Sequence, residues 1–170
     1  LATLARKGLS NMIHCASSEK IFRATMQDFD QHPDLLTVKN GTIDLRTGTL
    51  LPHDRYDMIT TLTSIDYDKD AECPRWLQFL IEIFGDNEDL IDFVHRGVGY
   101  SLTGHTREHA FFLLHGNGRN GKGRFIIVLR ALSGDASRTT AFSTFTTGRF
   151  SDGERNTPAL ASLSGARLVT

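Results

Sequence analysis

Cysteine is nearly absent from this chain, with two in 170 residues. Cys15 and Cys73 stand far apart. That excludes a disulfide framework and a cysteine metal spacing, suits a reducing compartment, and leaves both as expected packing residues. Long apolar runs are missing too. No window approaches the roughly 18 residues of a membrane span, and LATLARKGLS lacks the apolar stretch and cleavage site of a signal peptide. The expectation is a cytoplasmic protein without a membrane partner. The chain begins with leucine, so the native start is expected to lie upstream. Internal repeats and low-complexity linkers are lacking, and so is G-x-S-x-G, which removes sequence support for nucleophilic hydrolysis.

What is present is ordinary globular composition, 39% hydrophobic and 23% charged, enough for one sizeable core or two small ones. The net charge of −1 conceals an asymmetry. Residues 1–95 hold 9 Lys/Arg against 16 Asp/Glu, or −7, and residues 96–170 hold 10 against 4, or +6. A basic half is compatible with the phosphates of a nucleotide or nucleic acid, and equally with solvated faces.

Leu4, Leu9, Met12, Ile13, Ile21, Phe22 and Met26 predict one or two opening helices, interrupted near Ser17 and Ser18. LLTVKNGTIDL predicts a hairpin, with Asn40 and Gly41 suited to a type I′ turn. MITTLTSIDY, from Met58, alternates as a further strand would. Pro74 opens a helix carrying Trp76, Leu77, Leu80, Ile83 and Phe84 that closes at Gly85, and Asn87 caps a second one through Leu90, Ile91, Val94 and Val98.

From His109 the pattern changes. The apolar run Ala110–Leu114 predicts a buried parallel strand, HGNGRNGKGRF follows, and Phe125, Ile126, Val128, Leu129 and Leu132 predict a helix up to Gly134. Gly116, Gly121 and Lys122 fit the first seven places of G-x-x-x-x-G-K-[ST]. Glycines let backbone N–H groups approach phosphates without a Cβ in the way, and lysine adds charge for the β- and γ-phosphates. The expected nucleotide contacts are Gly116, Asn117, Gly118, Arg119, Asn120, Gly121, Lys122, Gly123 and Arg124, with Lys122 as the catalytic residue. The eighth place is Gly123, so the hydroxyl that would ligate Mg²⁺ is absent and metal use is open.

His105, Glu108 and His109 spell H-x-x-E-H, yet the histidines of an extended segment would stand about 13 Å apart, too far for one zinc ion. Arg138, Arg149, Arg155 and Arg167, interleaved with Phe142, Phe145 and Phe150, could form a single-strand DNA surface. Arg149 and Arg155 are the leading DNA-binding candidates. A core role for the phenylalanines and a surface or intersubunit role for the arginines is the alternative.

The loop and its flanks resemble the phage and plasmid DNA primase/helicase family, whose motor is a superfamily-three helicase of AAA+ type. The resemblance rests on LLTVKNGTIDLRTGTLLPHD at 35–54, DAECPRWLQFLIEIFGDNEDLIDFVHRGVGYSLTG at 70–104, HAFFLLHGNGRNGKGRFIIVLRALSGD at 109–135 and NTPALASLSGARLVT at 156–170. It implies an α/β fold, with residues 1–104 as a small mixed domain of helices and a β-hairpin. Residues 105–170 would be the first part of a P-loop NTPase domain. It further implies ATP and Mg²⁺ as cofactors, single-stranded or forked DNA and a homo-oligomeric ring, such as a hexamer, as partners, and ATP-driven unwinding in phage- or plasmid-type replication. In that family the metal-holding carboxylates follow the strand that ARLVT resembles, so the chain is expected to be a fragment, weakly active or inactive alone. Two other functions stay open: a non-catalytic nucleotide-binding module, and a P-loop kinase of a small metabolite.

Overall fold

A computed structural model describes residues 6–145 and 158–170. The opening helix α1, Arg6–Ala16, stops where expected, because the Ser17 and Ser18 hydroxyls donate back to the carbonyls of His14 and Cys15. None of its residues is buried. Cys15, in its last turn, and Cys73 are both exposed free thiols, which corrects the expectation that they pack inside.

Three strands, β1 (Leu35–Val38), β2 (Gly41–Asp44) and β3 (Thr49–Leu51), form an antiparallel sheet in that order. Leu36, Val38 and Ile43 are buried from it. The hairpin between β1 and β2 is present, but its turn is not of type I′. Val38 pairs with Gly41, so Lys39 and Asn40 are the loop residues, and neither Asn40 nor Gly41 has a positive φ. Tertiary contacts decide the matter. The Asn40 amide donates to Tyr67 O and accepts from Tyr67 N–H, while a Cβ on Gly41 would collide with Leu51 O and lie 2.7 Å from Leu50 Cδ1. The glycine serves close strand approach rather than a left-handed turn.

The segment from Met58 likewise departs from expectation. Met58 is left-handed, and no regular strand follows. The chain instead runs beside β1 on isolated bonds, Thr63 N–H to Thr37 O and Lys39 N–H to Ile65 O.

Helix α2, Pro74–Phe84, has proline in its first turn and ends at Gly85, whose φ is positive, while α3, Glu88–Leu102, is capped by Asn87 Oδ1 accepting from Leu90 N–H at 3.0 Å. Against them packs α4, Lys122–Ser133. Leu80, Phe125 and Leu129 are the buried centre, surrounded by Trp76, Phe79, Ile83, Phe84, Ile91, Val94, Val98, Leu132 and Leu168. The core therefore draws on residues from both sides of residue 104.

Ala110–Leu114 belongs to neither sheet, which corrects the expected buried strand. Strands buried on both faces need hydrogen-bonded neighbours. The strands β4 (Ser137–Arg138) and β5 (Leu168–Val169) pair with each other, in parallel, and the run joins neither of them. The run is held from below. Phe112 meets Phe93 edge-on at 6.0 Å and lies over Gly97, while Phe111 and Leu113 remain exposed.

Polar contacts complete the assembly. His105 Nε2 lies 2.8 Å from Asp34 Oδ1, and the Gly104 N–H donates to Pro33 O. Arg167 reaches inward, donating to Leu102 O at 2.8 Å and Leu35 O at 2.7 Å, so it ties the end of α3 to β1. Burial pushes its guanidinium pKa down, and the carboxylates of Asp30 and Asp34 act in the opposite direction. We predict that Arg167→Met, which keeps the bulk but leaves these carbonyls without their donor, costs about 1–3 kcal/mol, read as a lower urea midpoint with an unchanged slope.

Candidate functional site

The loop before α4 is shaped by backbone conformations that ordinary residues avoid. Gly118, Arg119 and Gly121 have φ of 90°, 50° and 86°. Runs of such residues turn successive N–H groups to one side. Helix α4 begins at Lys122, with Gly121 as an N-cap that offers no side chain. The Phe125 N–H donates to Gly121 O, so the N–H groups of Lys122, Gly123 and Arg124 lack a helical acceptor.

The Lys122 ammonium folds back over the loop, donating to Gly116 O at 3.0 Å and Asn120 Oδ1 at 2.7 Å. A Cβ on Gly116 would run into the Asn120 amide and stand 3.2 Å from Lys122 Nζ, so the first glycine of the motif makes room for this fold-back. Gly118, Arg119, Asn120, Gly121, Lys122, Gly123, Arg124 and Ile127 line an open concavity of about 470 Å³. Arg119, Lys122 and Arg124 make it cationic, and among the described residues no carboxylate lines it. Free amides, a helix N-terminus and three cations together suit a phosphate chain.

Seven of the nine expected nucleotide contacts thus share one surface. Gly116 joins through its carbonyl, and Asn117 does not line the concavity. Ile127, one turn into α4, is a lining residue that the motif did not mark. The same lining lacks donors for Mg²⁺. Position 123 has no hydroxyl, and among the described residues no group of three or more His, Cys, Asp or Glu is placed to hold a metal. These residues do not fit the ion.

Of the DNA candidates, Arg149 and Arg155, with Phe150, lie outside the described residues. Arg138 donates to the carbonyls of Asp135 and Ser137, and Arg167 is committed to the inward bonds given above. Phe142 and Phe145 are exposed. His105 of H-x-x-E-H is engaged by Asp34. No helix among the described residues is long and apolar enough to cross a membrane.

Residues 1–85, half of the chain, match the family described as D5 N terminal like. The chain belongs to that family. The D5 N terminal like domain is found in phage and plasmid primase-helicases, which makes this a primase/helicase-related protein. It is also similar to a protein of Acanthamoeba polyphaga mimivirus named as a helicase, with 24% identity over 145 residues, 84% of this chain and 15% of that protein. The chain thus spans about 15% of the length of that relative. A matched stretch of 145 in 170 residues extends past the D5 N terminal like region and across positions 116–124.

Gly121→Ala tests the loop geometry. It places a Cβ at a left-handed position and against Ile83, and the expected loss is about 1–3 kcal/mol in urea unfolding, where a freely exposed glycine-to-alanine change is neutral or stabilising.

Proposed function

We propose that the chain is the ATP-binding part of a replicative primase/helicase that couples ATP hydrolysis to unwinding in phage- or plasmid-type replication. The observation that carries this reading is that loop residues 118–121, the Lys122 ammonium and the uncapped start of α4 share one cationic concavity. Among the described residues Lys122 has no acidic partner, and its two contacts there are neutral oxygens of the loop itself. A triphosphate offers that ammonium a charged acceptor in their place. The loop amides and the helix N-terminus bind the phosphates, and Arg119 and Arg124 add positive charge on either flank. In this reading the fold is a partial P-loop NTPase domain of AAA+ type behind a D5 N terminal like domain. In the whole protein Lys122 acts on the transferred phosphate of ATP, with single-stranded or forked DNA and a homo-oligomeric ring as its partners.

The likeness to a helicase-named viral protein across the loop supports this reading, as does the family of residues 1–85. Titration with ATP tests it. Lys122→Ala is expected to weaken binding at least roughly tenfold, the loss of one charge-assisted contact of about 1.5–3 kcal/mol. Equal affinity of the two proteins overturns the reading.

A second reading, a nucleotide-binding module without catalysis, is favoured by one observation: among the described residues the concavity has neither hydroxyl nor carboxylate to position a cation. The two readings part in a longer protein that extends past Thr170. There, Gly123→Ser is expected to raise single-strand-DNA-dependent ATPase if the motor needs the missing hydroxyl. Absence of turnover in both forms, with ATP binding retained, supports the module.

A further inference from the structure

Glycines with positive φ have wide conformational freedom, so local sterics do not fix the loop, and packing must do so. Added Cβ atoms at Gly118 and Gly123 would meet nothing within 4 Å. Gly121 differs. Its Cβ would lie 2.7 Å from Ile83 Cγ2 and 3.1 Å from Phe79 Cε2, both on α2. Phe79 packs against Trp76 with ring centroids 5.6 Å apart, and Trp76 stacks on Phe125, in the first turn of α4, at 5.8 Å and 17°. Phe84 closes the layer edge-on to Phe125. An unbroken apolar layer therefore leads from the last loop glycine through α2 to the helix whose N-terminus faces the concavity. None of these α2 residues lines the concavity itself.

We propose that Phe79 and Ile83 are positioning residues of the phosphate site. They hold Gly121 in its left-handed conformation so that the loop amides converge, and the aromatic layer transmits occupancy of the loop to Trp76. A helix of the D5 N terminal like region thereby becomes the back wall of the nucleotide site, so phosphate binding and the placement of that region are coupled. This rests on the phosphate-binding reading of the loop.

Trp76 is the chain's one tryptophan, so its emission reports a single place. The probe is tripolyphosphate, which has no chromophore, titrated into the chain and followed by calorimetry and by fluorescence together. The expected result is saturable binding by calorimetry, a Trp76 emission change with the same midpoint, and a Phe79→Ala protein that unfolds cooperatively but binds about 5-fold or more weakly. Phe79→Leu, which keeps most of the bulk, restores affinity. A purely structural role lowers Tm without moving the affinity of the folded protein. Should Phe79→Ala fail to fold, Ile83→Val and the emission of the unaltered chain decide. Binding with flat Trp76 emission and unweakened Phe79 and Ile83 variants overturns the positioning role while leaving the phosphate reading intact. No tripolyphosphate binding by the parent chain overturns both.

Discussion

The seating of α4 on α2 is the constraint from which the other features follow. Leu80 is fully buried between the two helices, and Phe125 and Leu129 complete the centre. Each such side chain contributes about 1.5–3 kcal/mol relative to exposure, more than any exposed ion pair of the surface, such as Arg75–Glu82, can add. Once Phe125 is fixed, the first turn of α4 is fixed, and the loop that precedes it must emerge beside α2. The other end of the helix is tied as well. A Cβ on Gly134 would meet Leu62 O at 2.5 Å, and the Asp135 N–H donates to that same carbonyl, so the segment that accompanies β1 abuts the end of α4.

Polar chemistry secures what the small apolar core leaves open. Desolvating the Arg167 guanidinium is costly, and the cost is offset by two well-formed bonds to carbonyls and by the field of Asp30 and Asp34. Asp34 also receives His105, and Asp30 accepts from the Thr60 N–H and hydroxyl. Two carboxylates thus organise a seam where the ends of α3, β1 and the approach to β5 meet.

Helix limits were readable because their signals are local. Proline at the start of α2, Asn87 capping α3 and glycines after α2 and α4 each act through the backbone of the next few residues. The loop motif was legible for the same reason, and seven of its residues do gather on one surface. Errors arose where a distant contact overrode a local preference. Asn40 and Gly41 carried the composition of a tight turn, but Tyr67 and β3 dictated their geometry. Ala110–Leu114 had a strand's composition without a strand's neighbours. Arg167 looked like a surface cation because nothing in its vicinity announces the carbonyls of Leu35 and Leu102. Ile83 read only as part of a core stripe and Phe79 was not marked at all, since their relation to Gly121 exists in space alone.

The Arg167 staple also bears on the order in which the molecule can be made. It joins carbonyls at 35 and 102 to a donor at 167, so its bonds span 132 and 65 positions. Contacts of such separation form late, because the intervening polymer must be confined before they return any energy. On a ribosome the sheet and the first helices emerge well before Arg167 does, and during that interval the half-finished domain exposes bare carbonyls where the staple will sit. Its exposure to proteases therefore lasts until this arginine has emerged and docked.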